Sequence, residues 1–304
     1  MSRLWIFGVM AVLLLVSLTF VMPRWLVRSE LQPAQIERRR LQNEIVRTAI
    51  QILGGGFFLA TTILAWRQFQ NSQQELDAIR QGQITERFTR AIDQIGSEEL
   101  QVRVGGIYAL EGIAKDSPRD YYRPVMEVLA AFLRSRAPVP DEPLNLGGPG
   151  SLNIAPAVDV QAALTVFHRR AVRFDPLCDS AGTLVPCGFD LSDVDLSGAN
   201  LYGTHFEHWN FVNARLAAAD LRFADLRGAF LRYADLQYAQ LAHADLTKAT
   251  LELANLTGAN LELADLTGAT LYAADLTNAD LQDAEVTCDQ LTQAIVPRRF
   301  LRAC

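Results

Sequence analysis

The sequence predicts an all-α N-terminal part, with two transmembrane helices and a small helical module, followed by a mainly β C-terminal part in which the chain coils. Three observations support this fold class. Two long apolar runs open the 304-residue chain, amphipathic helical periodicity follows them, and a five-residue repeat fills the C-terminal third. Half of all residues are hydrophobic, which is enough apolar material for more than one domain.

The apolar runs cover residues 4–22 and 49–66 and contain no ionised side chain. At a rise of about 1.5 Å per residue, each run is about as long as the roughly 30 Å hydrocarbon core of a bilayer. We therefore expect residues 1–66 to form a two-helix anchor in membrane lipid. The alternative for the first run is a cleaved signal peptide, but the run has no short apolar region with an A-x-A cleavage pattern.

Arginines on the two sides of the predicted spans indicate the topology. Arg3, the amino terminus, Arg67 and Arg80 lie on one side, and six arginines lie in the connecting loop. The loop arginines are Arg24, Arg28, Arg38, Arg39, Arg40 and Arg47. The positive-inside rule then predicts a multi-pass protein of the cell membrane with a cytoplasmic loop and the C-terminal part outside.

All four cysteines lie in the C-terminal half of the chain. Cys178 and Cys187 bracket a short loop that a disulfide could close, and Cys288 and Cys304 lie near the end. Disulfides are typical of oxidising compartments, so a bridge would agree with an external C-terminal part. A pair of reduced thiols is the alternative.

Residues 67–136 are predicted to form a helical module. Apolar residues recur at helical spacing in three stretches, which Gly96-Ser97 and Asp116-Ser117-Pro118 separate. Ser117 is expected to cap the third helix, with Pro118 in its first turn. Gly105 and Gly106 fall inside the middle helix, where each costs about 1 kcal/mol against Ala, so we expect close helix packing there.

The segment 137–156 contains five Pro and three Gly, which predicts a linker or a loop laid over the surface, and a domain boundary. Residues 157–188 follow as a capping helix, 157–172, and the loop bracketed by cysteines. The repeat is expected to occupy 189–287, and a C-terminal helical cap to occupy 288–304.

Leucine occupies most positions at five-residue spacing from 191 to 286: seventeen of these twenty positions hold Leu, and the other three hold Phe206, Phe211 and Val286. The position two residues earlier holds Ala at 199 and at every fifth residue from 214 to 284. Residues two apart in an extended chain point to the same side, so Ala and Leu of one unit share an interior. The leucines expected in this structural core include Leu196, Leu216, Leu221, Leu236, Leu241, Leu256, Leu261 and Leu276.

A period of five requires a bend in every unit, because an odd number of residues would turn alternate units of a straight strand inside out. The bend is predicted one and two residues after each central leucine, where pairs such as Thr257-Gly258 and Thr277-Asn278 suit turns and positive φ. Regular bending winds the chain into coils, and stacked coils can pair their backbone groups at about 4.8 Å.

The motif A(D/N)LXX, as in Ala254-Asn255-Leu256-Thr257-Gly258, resembles the pentapeptide-repeat family. The resemblance implies a right-handed quadrilateral β-helix with four units per coil, which gives about five coils here. Residues 86–138 also resemble the helical module that precedes such repeats in membrane-anchored bacterial members. This second resemblance identifies no chemistry.

Four units per coil place residues twenty apart above one another. Arg232 is then expected over Glu252, and Arg227 beside Glu207, as exposed ion pairs worth about 0 to 1 kcal/mol each. Phe223, His243 and Leu263 form one outward column, and Tyr233 and Leu253 belong to another on the opposite corner. These residues are the candidate partner surface, and docking of the chain's own helices is the alternative.

Both ends of the repeat depart from its pattern. Phe189, Val194, Thr204 and Trp209 replace the usual Ala near the start, which predicts a wider mouth packed against the helix 157–172. Asp289 replaces Ala at the other end, where a short terminal helix over the last coil is expected.

The sequence contains no recognisable catalytic motif, so no enzyme activity, catalytic residue, cofactor or metal site is predicted. His205 and His208 could bind a metal, but a tetrahedral site needs three or four convergent ligands. The Asp that recurs before many central leucines could suggest acid and base catalysis. Its repetition along the outside of the coil, without an evident pocket, argues against this.

Charge and the absence of catalytic motifs lead to two functional hypotheses. Residues 189–296 contain sixteen Asp or Glu against five Arg or Lys, which excludes a nucleic-acid-binding surface there. The first hypothesis is a membrane-anchored, non-enzymatic scaffold whose rigid acidic rod binds an unidentified protein partner, with self-association left open. The second, implied by the family resemblance, is a DNA mimic that binds a type II topoisomerase.

Overall fold

The computed structural model describes residues 33–140, 154–170 and 188–296. The chain divides into two compact units, Met1–Ala78 and Ile79–Cys304. The apolar run 4–22, the loop between Cys178 and Cys187, and Cys304 lie outside the described residues. The helices of the described ranges are α1 (Pro33–Ile95), α2 (Leu100–Asp116), α3 (Pro118–Arg136), α4 (Val158–Arg169) and α5 (Cys288–Gln293).

The first unit is described from residue 33 onwards as part of α1. The apolar run 49–66 lies within this helix, and its side chains are exposed. Among the described helices, one is long and apolar enough to cross a membrane by length and composition, over Glu37–Ile95. The helix also continues through residues 66 and 67, where the sequence had placed the end of the anchor.

In the second unit, the end of α1, α2 and α3 form a helical module, as the three amphipathic stretches predict. Their apolar faces meet in a buried core. A Cβ on Gly106 would lie 2.8 Å from the Cβ of Gln94, so close packing explains this glycine. The same expectation is wrong for Gly105, which faces open space. Ser117 precedes α3 without a side-chain capping bond, so its predicted capping role is also wrong.

An ion triad around a buried carboxylate joins α4 to α2 and α3. The carboxylate of Asp159 is fully buried, and it accepts hydrogen bonds from Nε of Arg103 at 2.7 Å and Nε of Arg136 at 3.0 Å. Burial alone would raise the pKa of Asp159, but the hydrogen bonds and charges of Arg103 and Arg136 hold that pKa below its ordinary value. The triad therefore stays charged and holds the three helices together.

Residues 137–140, which the sequence assigns to a linker or a loop laid over the surface, pair with the repeat. Pro138 forms an antiparallel bridge with Val194, and the N–H of Val139 donates to the carbonyl of Asp193 at 3.0 Å. These contacts cover part of the open backbone edge of the first coil. The predicted boundary at 137–156 therefore does not separate two compact units, since α2, α3 and the repeat belong to one.

The repeat forms a four-sided β-helix. Parallel bridges connect residues twenty apart, from Asp190 with Asn210 to Asp265 with Glu285, so four five-residue units complete each coil. Successive coils are joined by backbone hydrogen bonds such as Leu221 N–H to the carbonyl of Gln240 at 2.8 Å. The coils stack as the five-residue period requires.

Every unit from 191 to 283 turns a corner in the same way. The second residue after the central one has a positive φ in each unit, from Asp193 to Asp283. From Leu196 to Leu281, the carbonyl of the central residue accepts a hydrogen bond from the N–H three residues further on, as in Leu256 and Ala259 at 3.0 Å. Positive φ at the third of four residues is the feature that a type II turn requires.

The Asp or Asn before the central leucine stabilises the same corner. Oδ1 of Asp245 accepts a hydrogen bond from the N–H of Thr247 at 3.0 Å, and Asn255 accepts one from Thr257 at 3.1 Å. This side-chain contact two residues forward is an Asx turn. The A(D/N)LXX pattern thus encodes an interior alanine, a turn-forming acceptor and an interior leucine.

The interior of the rod contains one layer of side chains from each unit. The eight leucines predicted for the core are all at most 1% exposed. They are Leu196, Leu216, Leu221, Leu236, Leu241, Leu256, Leu261 and Leu276. The alanines two residues before the central leucines are buried as well, so the interior is narrow and free of polar side chains along most of its length.

Both ends of the described rod are covered by side chains. At the start, Trp209 packs edge-on against Phe167 of α4 at 5.0 Å, which confirms the predicted contact between the wide mouth and this helix. At the other end, Thr287 and Gln290 form a capping box at the start of α5. Nε2 of Gln290 donates to the carbonyls of Leu266 and Ala269 at 2.7 and 2.8 Å.

Substitution of neighbouring residues tests the register of the rod. We expect Leu256→Asp to cost more than about 4 kcal/mol of unfolding free energy, because it buries an unpaired carboxylate. Thr257→Asp, one residue away on the outside, should change the unfolding free energy by less than about 0.5 kcal/mol. Thermal unfolding of the solubilised full-length protein, followed by circular dichroism, measures both. Equal melting temperatures would contradict the register.

Asp159→Asn tests the ion triad. We expect a loss of about 3 to 5 kcal/mol at neutral pH, because two arginines lose their buried carboxylate. A lowered pKa stabilises the fold above the ordinary value of about 3.9, and this stabilisation is lost as the pH falls through the folded-state pKa. The difference from wild type in urea unfolding should therefore shrink towards pH 3.

The matched control is Asp116→Asn, which removes an exposed ion pair with Arg87. This variant should stay within about 0.5 kcal/mol of wild type at every pH. If Asp159→Asn were equally harmless at neutral pH, the triad would contribute nothing to the fold.

Candidate protein interaction surface

The corners of the coil display an aromatic column, defined here as Tyr202, Phe223, His243 and Leu263. The rings of Phe223 and His243 stack at 4.6 Å with an interplanar angle of 8°. The ring of Tyr202 lies 5.4 Å from that of Phe223. Phe223 is 51% exposed and Leu263 is 45% exposed, so the column presents apolar surface along four successive coils.

The backbone at the corners determines where these side chains lie. Phe223 has φ 58° and His243 has φ 60°, in the left-handed region that bulky residues rarely adopt. A non-glycine residue there costs about 1 to 2 kcal/mol. Hydrogen bonds between coils, such as Phe223 N–H to the carbonyl of Ala242 at 3.1 Å, hold the corner in place. The column is therefore fixed by the scaffold.

Charged side chains flank the aromatic column. Arg227 contacts Asp225 at 2.7 Å, Asp245 at 3.6 Å, and Glu207. Burial raises the pKa of Asp225, the N–H of Arg227 acts to lower it, and the neighbouring Asp245 raises it further. The flank thus contains three carboxylates around one guanidinium.

Arg222 completes the border of the column. Its Nη2 lies 2.7 Å from Oδ2 of Asp220, and this bond lowers the pKa of Asp220. The guanidinium also lies 5.7 Å from the ring centre of Tyr202. Both ion pairs predicted from the spacing of twenty are confirmed: Arg227 pairs with Glu207, and Arg232 with Glu252 at 3.4 Å.

The opposite corner has a second apolar column. Tyr233 is 49% exposed, Leu253 is 40% exposed, and Tyr272 is 63% exposed. The sequence had placed Tyr233 and Leu253 there. It missed Tyr202 and Tyr272, which directly follow the central leucine of their units. Steps of twenty from them reach Arg222 and Glu252 rather than apolar residues, so the column pattern did not identify them.

The two histidines considered as metal ligands lie in different surroundings. Nδ1 of His205 is 3.7 Å from Oδ2 of Asp225, whereas the ring of His208 covers Gly228. Within residues 33–140, 154–170 and 188–296, no group of three or more His, Cys, Asp or Glu could hold a metal ion. The recurring aspartates act in the Asx turns of the corners.

Cys288 is disulfide-bonded. It lies in the first turn of α5, and the other three cysteines all lie outside the described residues. Both cysteines of the predicted disulfide, Cys178 and Cys187, are therefore outside the described residues.

Comparison with known proteins agrees with this geometry. Residues 190–222, 214–252 and 244–283 match the family model described as pentapeptide repeats, in eight copies. This family implies a right-handed quadrilateral β-helix. No curated protein matches the chain.

Solved structures of repeat proteins are similar to the C-terminal part. A pentapeptide repeat protein from Nostoc PCC 7120 is 33% identical over 36% of this chain and 84% of its own, with a TM-score of 0.28. HetL, from the same Nostoc strain and involved in heterocyst differentiation regulation, is 34% identical over 36% of this chain, with a TM-score of 0.18. The chain spans only 54% of the length of HetL. QnrB1, a plasmid-mediated fluoroquinolone resistance protein, is 19% identical over 38% of this chain and 84% of its own, with a TM-score of 0.19.

Proposed function

Because the chain belongs to the pentapeptide-repeat family, we propose that it is a membrane-anchored, non-enzymatic scaffold whose rigid acidic rod binds a protein partner. The aromatic column is the observation that carries this proposal. Its side chains are half exposed and fixed at regular heights, and charged residues border them. Aromatic residues in a polar rim are the usual composition of a protein interface.

The shape of the column favours a protein over a small molecule. Small-molecule sites are concave and bury most of their ligand. The aromatic column instead lies along an outer corner of the coil, where Phe223 and Leu263 are each about half exposed. A surface of this kind gains contact area only against an extended partner.

The exposed apolar run in α1 supports the membrane anchor. Phe57, Phe58 and Trp66 are 58%, 70% and 62% exposed. Leaving apolar surface in water costs about 25 cal/mol per Å². We propose that lipid covers residues 49–66 and that residues 4–22 form the second span.

Two features support an external position for the rod. The loop between the two apolar runs holds six arginines, against Arg67 and Arg80 in the twenty residues after the second run, which favours a cytoplasmic loop. Cys288 is disulfide-bonded, and disulfides persist in oxidising compartments. Both features agree with a rod outside the cytoplasm.

The second hypothesis, binding to a type II topoisomerase by DNA mimicry, rests on the net charge of the rod. The exposed ion pairs of Arg227 and Arg232 interrupt that charge on two faces. A rod outside the cytoplasm also could not contact a cytoplasmic topoisomerase. We therefore favour the scaffold.

A photo-crosslinking experiment tests the partner surface. We expect p-benzoylphenylalanine in place of Phe223, in the full-length protein in its native membranes, to give one discrete product larger than the chain. Addition of Leu263→Asp should reduce the yield of this product about tenfold or more, because a buried charge disrupts an apolar contact. Gel mobility and mass spectrometry measure the product.

The matched control places the same amino acid at Tyr238, an aromatic residue in the same corner position of another face. No product of that size is expected from position 238. The same product from both positions, or one that Leu263→Asp leaves unchanged, would contradict the proposal. A product of twice the chain mass would indicate self-association.

Labelling in intact cells tests the topology. We expect an impermeant amine reagent to modify Lys248, the single lysine of residues 189–296, without cell lysis. Lys248→Arg is the matched control and should abolish labelling of that peptide. Modification of Lys248 only after lysis would place the rod in the cytoplasm.

A further inference from the structure

Charge is distributed unevenly around the rod. The first coil of one side holds Asp190 and Asp193. The next four units of that side are residues 210–213, 230–233, 250–253 and 270–273, and we call them the neutral face. Its charged residues are Arg232 and Glu252, which pair with each other at 3.4 Å. The other three faces each hold more Asp and Glu than Arg and Lys. Over the four coils from residue 210 onwards, the net negative charge of the rod therefore lies on the other three sides.

The neutral face is also rich in exposed apolar side chains. Tyr233, Leu253 and Tyr272 are between 40% and 63% exposed there. The columns beside them hold uncharged residues such as Thr250 and Thr270. A surface with few charges and several exposed aromatic rings has the composition of an interface core. For two copies of an acidic rod, this is also the side on which close approach meets the least repulsion.

We propose that the neutral face binds the neutral face of a second copy of this chain, with the two rods antiparallel. The two-fold axis lies in the plane between the two faces and is perpendicular to both rods. Its height along the rod is midway between the levels of Arg232 and Glu252. Such an axis exchanges the two levels, so Arg232 of each copy faces Glu252 of the other. A single ion pair within one rod becomes a network of four charges with two pairs between rods.

The rest of the face fits the same register. The axis places Tyr233 opposite Leu253 of the second copy, and Val212 opposite Tyr272. At the borders, Lys248 faces Gly228, and Asp235 faces Asn255. No charged residue of the neutral face or of these borders meets a like charge.

Other registers are less favourable. A shift by one coil places Glu252 opposite Tyr272 or Arg232 opposite Val212, which buries a charge against an apolar side chain. Such a contact carries a desolvation penalty without a compensating partner. An axis at the level of Glu252 itself would bring two carboxylates together. The arrangement of Arg232 and Glu252 thus selects one register.

The size of the face indicates a weak dimer. Four coils at about 4.8 Å extend about 19 Å along the rod. A standard stable interface needs about 800 Å² from each partner, which is more than this face offers. We therefore expect reversible association with a dissociation constant in the micromolar range.

Charge reversal tests the dimer in the solubilised full-length protein. Sedimentation velocity over about 1 to 100 µM should show wild type moving from monomer to dimer. Arg232→Glu alone and Glu252→Arg alone should each weaken the dimer about tenfold or more, because each creates like charges across the contact. An equimolar mixture of the two variants should restore association to about the wild-type level, since their heterodimer regains both pairs between rods.

The mixture distinguishes a contact between copies from the ion pair within one rod. Each variant keeps its like-charge contact within the rod when mixed, so restored association can arise only between chains. Arg222→Glu, an equivalent reversal on another face, is the control and should leave the dimer unchanged. Circular dichroism verifies that every variant is folded.

Four results would overturn the proposal. They are a wild-type monomer throughout the concentration range, single reversals without effect, no restoration in the mixture, and an equal loss with Arg222→Glu. A monomeric wild type would leave the neutral face to a different protein. The photo-crosslinking at Phe223 lies on another side of the rod, so its outcome is independent of this one.

Discussion

The structure of the rod depends on one constraint, a corner that the backbone turns after every central leucine. The corner needs a positive φ at its third residue, and the chain accepts this conformation even at Phe223 and Tyr233. The Asx turn and the hydrogen bonds between coils offset the cost. Because the corner recurs every five residues, each Leu and Ala returns to the interior. No unit could keep this geometry alone, so stacking is required.

The same constraint organises the surface. Because each coil has four corners, residues twenty apart in the sequence lie above one another. The residue type at one position of the motif therefore determines a whole column of side chains. The side chains of neighbouring columns can vary independently, since substitution of an outward-facing residue on one face does not alter the interior. The chain can therefore carry an aromatic column on one side and a nearly uncharged face on another. Rigidity of the corners keeps both surfaces in fixed positions.

The sequence predicted the features that follow from the period alone. The turn positions, the inward leucines and the pairing of Arg227 with Glu207 all depend on a unit of five and a coil of twenty. It did not predict the triad of Asp159, because Arg103 and Arg136 lie far away in the chain and no periodic pattern connects them. The pairing of Pro138 with Val194 was missed for a different reason. Five prolines suggested a linker or a surface loop, although proline is tolerated at a sheet edge.

Coverage of the rod ends limits where a partner can bind. An open coil end exposes unpaired backbone groups and invites pairing with another chain. Here residues 137–140 cover part of the first coil, and Trp209 packs under α4. Gln290 satisfies carbonyls of Leu266 and Ala269 at the other end, and the N–H of Ile295 donates to Ala274 at 2.8 Å. With the chain's own residues in these places, end-to-end stacking would have to displace them. The lateral faces require no such displacement, so they are the surfaces on which association costs least.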